Sequence, residues 1–146
     1  MRGMTIIVKC ITQLMAPSIM VLGIYVVFHG HLTPGGGFAG GVLMAGCFVL
    51  MILANGSDKV KSDLFKNRAS LLESLGIFLF LFIAIMGFFQ GPFFKNVINE
   101  WLPGEPGRLW SAGIIPLCNI AIGVEVAAAL FAIFITLAVL KFGEKL

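Results

Sequence analysis

Four long apolar runs constrain this chain more than any motif it carries. They extend from about Met4 to Phe28, Phe38 to Ala54, Leu71 to Phe89 and Pro116 to Leu140. Each approaches the roughly 17–25 residues that a helix needs to cross a bilayer. Of the 146 residues, 59% are hydrophobic and 12% charged, and the mean hydropathy is +1.03. A water-soluble domain this small has too much surface for its volume to hide that apolar area, so its solvent is mostly lipid. The runs are continuous rather than alternating, and so short a chain cannot close a barrel, so helices are expected over strands. The expected fold class is therefore all-α, a single integral-membrane domain of four transmembrane helices over residues 1–146. The first run is too long for a cleavable signal and no small-x-small site follows it.

The basic residues predict an orientation. Arg2 and Lys9 precede or begin the first run. Lys59, Lys61, Lys66 and Arg68 lie between the second and third, and Lys141 and Lys145 at the C-terminus. These eight of the ten basic residues fall on one side, and only Lys95 and Arg108 fall on the other. The positive-inside rule then places both termini in the cytoplasm. The net charge of +3 is explained by this topology and calls for no nucleic-acid partner. The expected location is the cell membrane.

The outward loop carries the densest motif, His29-Gly30-His31-Leu32-Thr33-Pro34-Gly35-Gly36-Gly37-Phe38-Ala39-Gly40-Gly41, without a single charged Lys, Arg, Asp or Glu. Gly36-x-x-x-Gly40 and Gly37-x-x-x-Gly41 have the spacing of a close helix crossing. With no basic residue nearby, a phosphate cradle is the poorer reading. His31 and His29 are either proton carriers or interfacial histidines bonded to loop carbonyls. Without nearby carboxylates or thiols they make a poor metal site, and no metal is expected. Cys10, Cys47 and Cys118 show no CxxC or His-paired spacing and read as small buried hydrophobes.

Other local signals fill in the helices. Ser70-Leu71-Leu72-Glu73 has the form of a capping box opening the third helix; alternatively Glu73 is a proton-relay carboxylate at the membrane edge. Pro17 is expected to kink the first helix and free a carbonyl that Ser18 or a neighbouring helix satisfies. Trp101 and Trp110 suit the outer interface, and Phe93 to Trp101 suits a short segment lying flat on it.

Glu125 is the helix-embedded charge that stands alone, ten residues into the last run. A charge at mid-membrane costs on the order of 2.5–3.5 kcal/mol on insertion scales, so such a group is protonated or faces a partner. At 100° per residue, Cys118, Ala121, Ala128, Ala129, Ala132 and Thr136 share its face, with Leu130 and Phe134 opposite. Small residues such as Ala121, Ala128 and Ala129 predict a closely packed neighbouring helix there. Glu125 is thus either a proton or cation relay or a structural carboxyl bonded to a partner. Asn119, about 120° around, suits an interhelical hydrogen bond. No nucleophilic triad, Walker loop, haem motif or flavin fingerprint is present. Neither covalent catalysis nor a cofactor is expected.

Gly30-His31-x-x-Pro34-Gly35-Gly36-Gly37-Phe38-x-Gly40-Gly41 between the first two helices resembles the signature of the MnhB/MrpB family, small membrane subunits of multisubunit Na⁺/H⁺ antiporters. Length and four-helix plan are similar along nearly the whole chain. The resemblance implies a non-catalytic subunit that helps assemble a hetero-oligomer and lines part of a sodium or proton path. It also implies partners among the other antiporter subunits, and the same subunit type occurs in archaeal membrane-bound hydrogenases and related respiratory complexes. In one helix the chain departs from the family pattern. Free-standing antiporter subunits typically carry a Leu-Phe-Asp-x-Gly-Val-like stretch in the last helix. Here Leu117-Cys118-Asn119-Ile120 has an amide where the acid would stand, and the carboxylate appears at Glu125. That departure tilts the expectation toward the respiratory-complex branch. The alternatives are a purely structural assembly subunit with no ion path and a self-sufficient small transporter, which four helices with one embedded acid support poorly.

Overall fold

A computed structural model describes residues 4–56, 63–105, 107–109 and 111–143. The elements are α1 (Ile6–His29), α2 (Gly37–Asn55), α3 (Asp63–Met86) followed by a 3₁₀ turn at Gly87–Phe89, the short α4 (Val97–Trp101), and α5 (Ile115–Gly143). Among the described residues there are helices and no strands, and four helices are long and apolar enough to span a membrane. The chain is a multi-pass membrane protein.

Helix α5 is the axis of the assembly, packed against α2 on one side and α3 on another, while α1 lies mainly on α2. The interior is built from small residues. Among the described residues, seven of the twelve buried hydrophobic residues are alanines, among them Ala16, Ala45, Ala121 and Ala128. Large side chains point outward instead: Ile6, Leu14, Leu71, Phe78 and Phe89 are all more than 60% exposed. This inverts a soluble core for a physical reason. Lipid tails solvate Leu and Phe as well as protein does, so helices gain by close backbone approach rather than by hiding bulk.

The third helix begins earlier than hydropathy indicates. It opens at Asp63 rather than near Leu71, so Ser70 lies within it and its carbonyl accepts the Ser74 hydroxyl at 3.0 Å. The capping box therefore does not form. A hydropathy run marks where a helix meets lipid, and this helix continues into its polar flank; its membrane-length part is Asn67–Phe89. Glu73 consequently sits inside that span, half-buried.

Helix α1 runs unbroken through Pro17. Ser18 Oγ donates to the Leu14 carbonyl at 3.4 Å, not to the Gln13 carbonyl that the proline leaves without its usual donor. Beside it, the buried Cys47 thiol of α2 donates to the Ala16 carbonyl at 3.1 Å. The cysteines differ in setting: Cys47 is buried, Cys118 intermediate, and Cys10 exposed on the outside of the bundle. Between α3 and α5, α4 is capped by Asn96, whose Oδ1 accepts the Asn99 amide at 3.3 Å. Trp101 is 73% exposed. Trp110, Arg2, Lys59, Lys61 and Lys145 lie outside the described residues.

Candidate functional site

The mid-membrane part of the site is set by one glycine. Glu125 falls near the centre of the Ile115–Leu137 span, and Gly76 near the centre of Asn67–Phe89. A Cβ added to Gly76 would stand 2.7 Å from Glu125 Cβ and 2.9 Å from its Cα and its amide nitrogen. Real Cβ atoms do not approach so closely, so any side chain at position 76 would push α3 off α5 at the level of the carboxylate. Ala121 and Ala128, one turn to either side of Glu125, are buried at 2% and 7%, and Ala129 is half-buried. Glu125 itself is half-buried. Among the described residues its carboxylate has neither an ion-pair nor a hydrogen-bond partner. Glu73 precedes Gly76 by three residues on the facing helix, about 4.5 Å along the axis at 1.5 Å per residue. In the sequence Gly76 is one more residue of an apolar run, and a lone glycine among Leu, Ile and Phe is the signal available there.

The glycines of the loop divide their work between two neighbours. Gly37 and Gly41 face α5. A Cβ on Gly37 would collide with the Asn119 carbonyl, and one on Gly41 would meet the Gly123 carbonyl and Val126 Cβ at 2.8 Å. Gly40 faces α1, against Val27 and the Gly23 carbonyl. Gly36 belongs to no helix. It is the residue before α2, at φ +99°, a left-handed conformation that glycine adopts without strain. The Gly36-x-x-x-Gly40 spacing is therefore not one ladder on one face.

In the loop between α1 and α2, His31 is tied to the loop before α5. Its Nε2 donates to the Arg108 carbonyl at 3.3 Å across 77 residues of sequence, while its Nδ1 is buried without a partner among the described residues. His29 is turned to its own helix. Its Nδ1 donates to the Tyr25 carbonyl at 3.2 Å, and its ring stacks on Tyr25 with centroids 4.0 Å apart. Asn119 sits against Gly30 and Gly36, yet its Nδ2 is buried and has no partner among the described residues, so this group makes no interhelical hydrogen bond to them. Asn96 organises the segment between α4 and α5. It donates to the Ala112 carbonyl at 3.2 Å and accepts the Ile114 amide at 3.1 Å. Among the described residues no three His, Cys, Asp or Glu side chains cluster as metal ligands would.

Together these features set two polar residues on different faces of α5, Asn119 where Gly37 of α2 meets the helix and Glu125 where Gly76 of α3 meets it. Comparison with known proteins identifies the family. The profile described as a domain related to the MnhB subunit of Na⁺/H⁺ antiporter matches residues 7–139. The chain belongs to the MnhB family. A relative from Methanocaldococcus jannaschii, itself uncharacterised, is 38% identical over 132 residues, covering 86% of this chain and 49% of its own length. A Staphylococcus aureus (strain Newman) protein assigned the name antiporter subunit mnhB2 is 28% identical, covering 94% of this chain and 96% of the relative. Among solved structures, a chain of the membrane-bound sulfane sulfur reductase, an archaeal respiratory membrane complex, superposes with a TM-score of 0.75 at 31% identity. That match covers 89% of this MnhB-family chain and 56% of the other. The chain thus spans about half the length of the archaeal relatives it matches.

Proposed function

We propose that this chain is a non-catalytic subunit of a multisubunit Na⁺/H⁺ antiporter module, with Glu125 as its proton or cation relay group. The observation that carries the reading is the half-buried Glu125 at mid-span, against Gly76 and without a pairing cation among the described residues. A carboxylate so placed costs on the order of 2.5–3.5 kcal/mol on insertion scales and is retained where it faces a partner group or carries a proton. Membership in the MnhB family and the likeness to a respiratory complex support a membrane assembly with other antiporter subunits, attached to a redox module as in the archaeal neighbour. In this reading both termini are cytoplasmic, larger partner subunits carry most proton transfer, and His31 serves at the outer end of the path. Glu73, inside the span of α3, is the next carboxylate toward the cytoplasm.

The test is Glu125→Gln in the assembled complex. Transport in membrane vesicles is expected to fall at least about ten-fold, while the amount of assembled complex stays within about two-fold of wild type. Unchanged transport and pH dependence would remove the relay role.

A second reading, a purely structural subunit, is favoured by the backbone contacts of Gly37 and Gly41 with α5. It expects Glu125→Gln to be silent and leucine at either glycine to dissociate the complex.

A further inference from the structure

Two polar atoms are buried at the outer end of the bundle with no protein group among the described residues to bond them: His31 Nδ1 and Asn119 Nδ2. Asn119 Nδ2 lies 2.8 Å from where a Cβ on Gly30 would stand, and His31 is the next residue. An atom left so forfeits the hydrogen bond that it makes in water, and both belong to the segments that meet where the loop after α1 reaches α5.

Their chemistry is complementary. The Arg108 carbonyl can only accept, so the bond it makes at 3.3 Å fixes the proton of neutral His31 on Nε2. Nδ1 then presents a bare lone pair, an acceptor. Asn119 Nδ2 presents N–H, a donor. The two do not bond each other, so the group that satisfies both must accept from one and donate to the other.

Charge narrows the choice. Residues 29–41 contain no Lys, Arg, Asp or Glu, and Arg108 is engaged by Glu105 at 2.9 Å with both side chains more than 70% exposed. Nothing there would balance an ion. Water is neutral, both donates and accepts, and is the usual occupant where buried polar groups lack partners, typically making two to four hydrogen bonds. The glycines keep side chains out: a Cβ on Gly30 would crowd the Asn119 amide and collide with Gly36.

We propose that Asn119 and His31 hold an ordered internal water where the loop after α1 and the start of α2 meet α5, accepting from the Asn119 amide and donating to His31 Nδ1. The site does not depend on the antiporter reading. It would be held equally by a structural subunit, and His31 becomes the hydrated histidine of the loop while His29 is bonded within its own helix.

Solid-state NMR on the full chain, expressed with its neighbouring subunits and labelled with ¹⁵N-histidine, tests this at a pH where neutral imidazole is populated. The difference spectrum against His31→Asn isolates the His31 signals. Polarisation transfer from water protons to His31 Nδ1 is expected in the wild type, falling at least about three-fold in Asn119→Leu, which removes the amide at similar size. Absence of water transfer in the wild type overturns the proposal. So does a direct bond to Nδ1 from Asn119 or any other protein N–H. Should Asn119→Leu fail to assemble, the wild-type spectrum alone decides.

Discussion

At Glu125 the cost of a charge in lipid and the closeness of Gly76 act on the same few atoms. The carboxylate was legible in the sequence because acids are rare in apolar runs, and its small neighbours Ala121 and Ala128 announced a packed face. Gly76 was not legible. A glycine's importance depends on which residue of which other helix faces it, and that pairing is not written in either helix alone. Leucine at position 76 is expected to separate α3 from α5, costing about 1–3 kcal/mol as overpacking does and reducing recovery of the chain in detergent. Alanine at the same position already brings a Cβ to 2.7 Å from Glu125 Cβ and is expected to show a smaller loss of the same sign. At Cys47 the thiol bonds a carbonyl of α1 that already belongs to a helix. Serine there keeps a donor, so thermal stability is expected to change by no more than about 1 kcal/mol, the net worth of one such bond.

Elements show where periodicity and hydropathy succeed and where they stop. Four membrane-length helices were readable because lipid demands length and apolarity together. The start of α3 was not, since a helix that leaves the membrane keeps its backbone bonds while losing its apolar signature. The Ser70 and Glu73 pattern then imitated a cap in the middle of a helix. The segment between α3 and α5 is held in good part by a side chain that its sequence pattern does not mark. Asn96 bonds the Asn99 and Ile114 amides and the Ala112 carbonyl, and Gly113, at φ +60°, lies directly against it. Asn96→Ala leaves partly buried backbone groups unpaired and is expected to cost about 1–3 kcal/mol. Faster amide exchange at residues 111–114 would register it. The Glu105–Arg108 pair on the same loop is exposed, and Glu105→Ala is expected to change stability by less than about 1 kcal/mol.

In the whole molecule, α5 lies between α2 and α3 while α1 rests on α2, and much of the large apolar surface of α1 and α3 faces outward. That surface is matched to lipid and to the partner subunits of the proposed assembly. The orientation read from the basic residues has a direct check. A cysteine placed at Glu105 in a chain whose native cysteines are replaced by serine is expected to react with a membrane-impermeant maleimide from the outside of intact cells. Labelling only after the cells are opened would reverse the topology.

By itself the sequence determined that the chain lives in a membrane, crosses it four times and carries one acid at mid-span. These follow from transfer free energies that each segment obeys without reference to the others. The Gly-rich loop also carried the family resemblance, because its spacing is local. The tertiary structure decided which glycine meets which helix: Gly40 against α1, Gly37 and Gly41 against α5, and Gly76 against Glu125. It also decided that His31 reaches Arg108 and that Asn119 is left with an unbonded amide. Those are contacts between segments far apart in the chain. In lipid they are selected by backbone fit and paired polar groups, which a single strand of residues does not reveal.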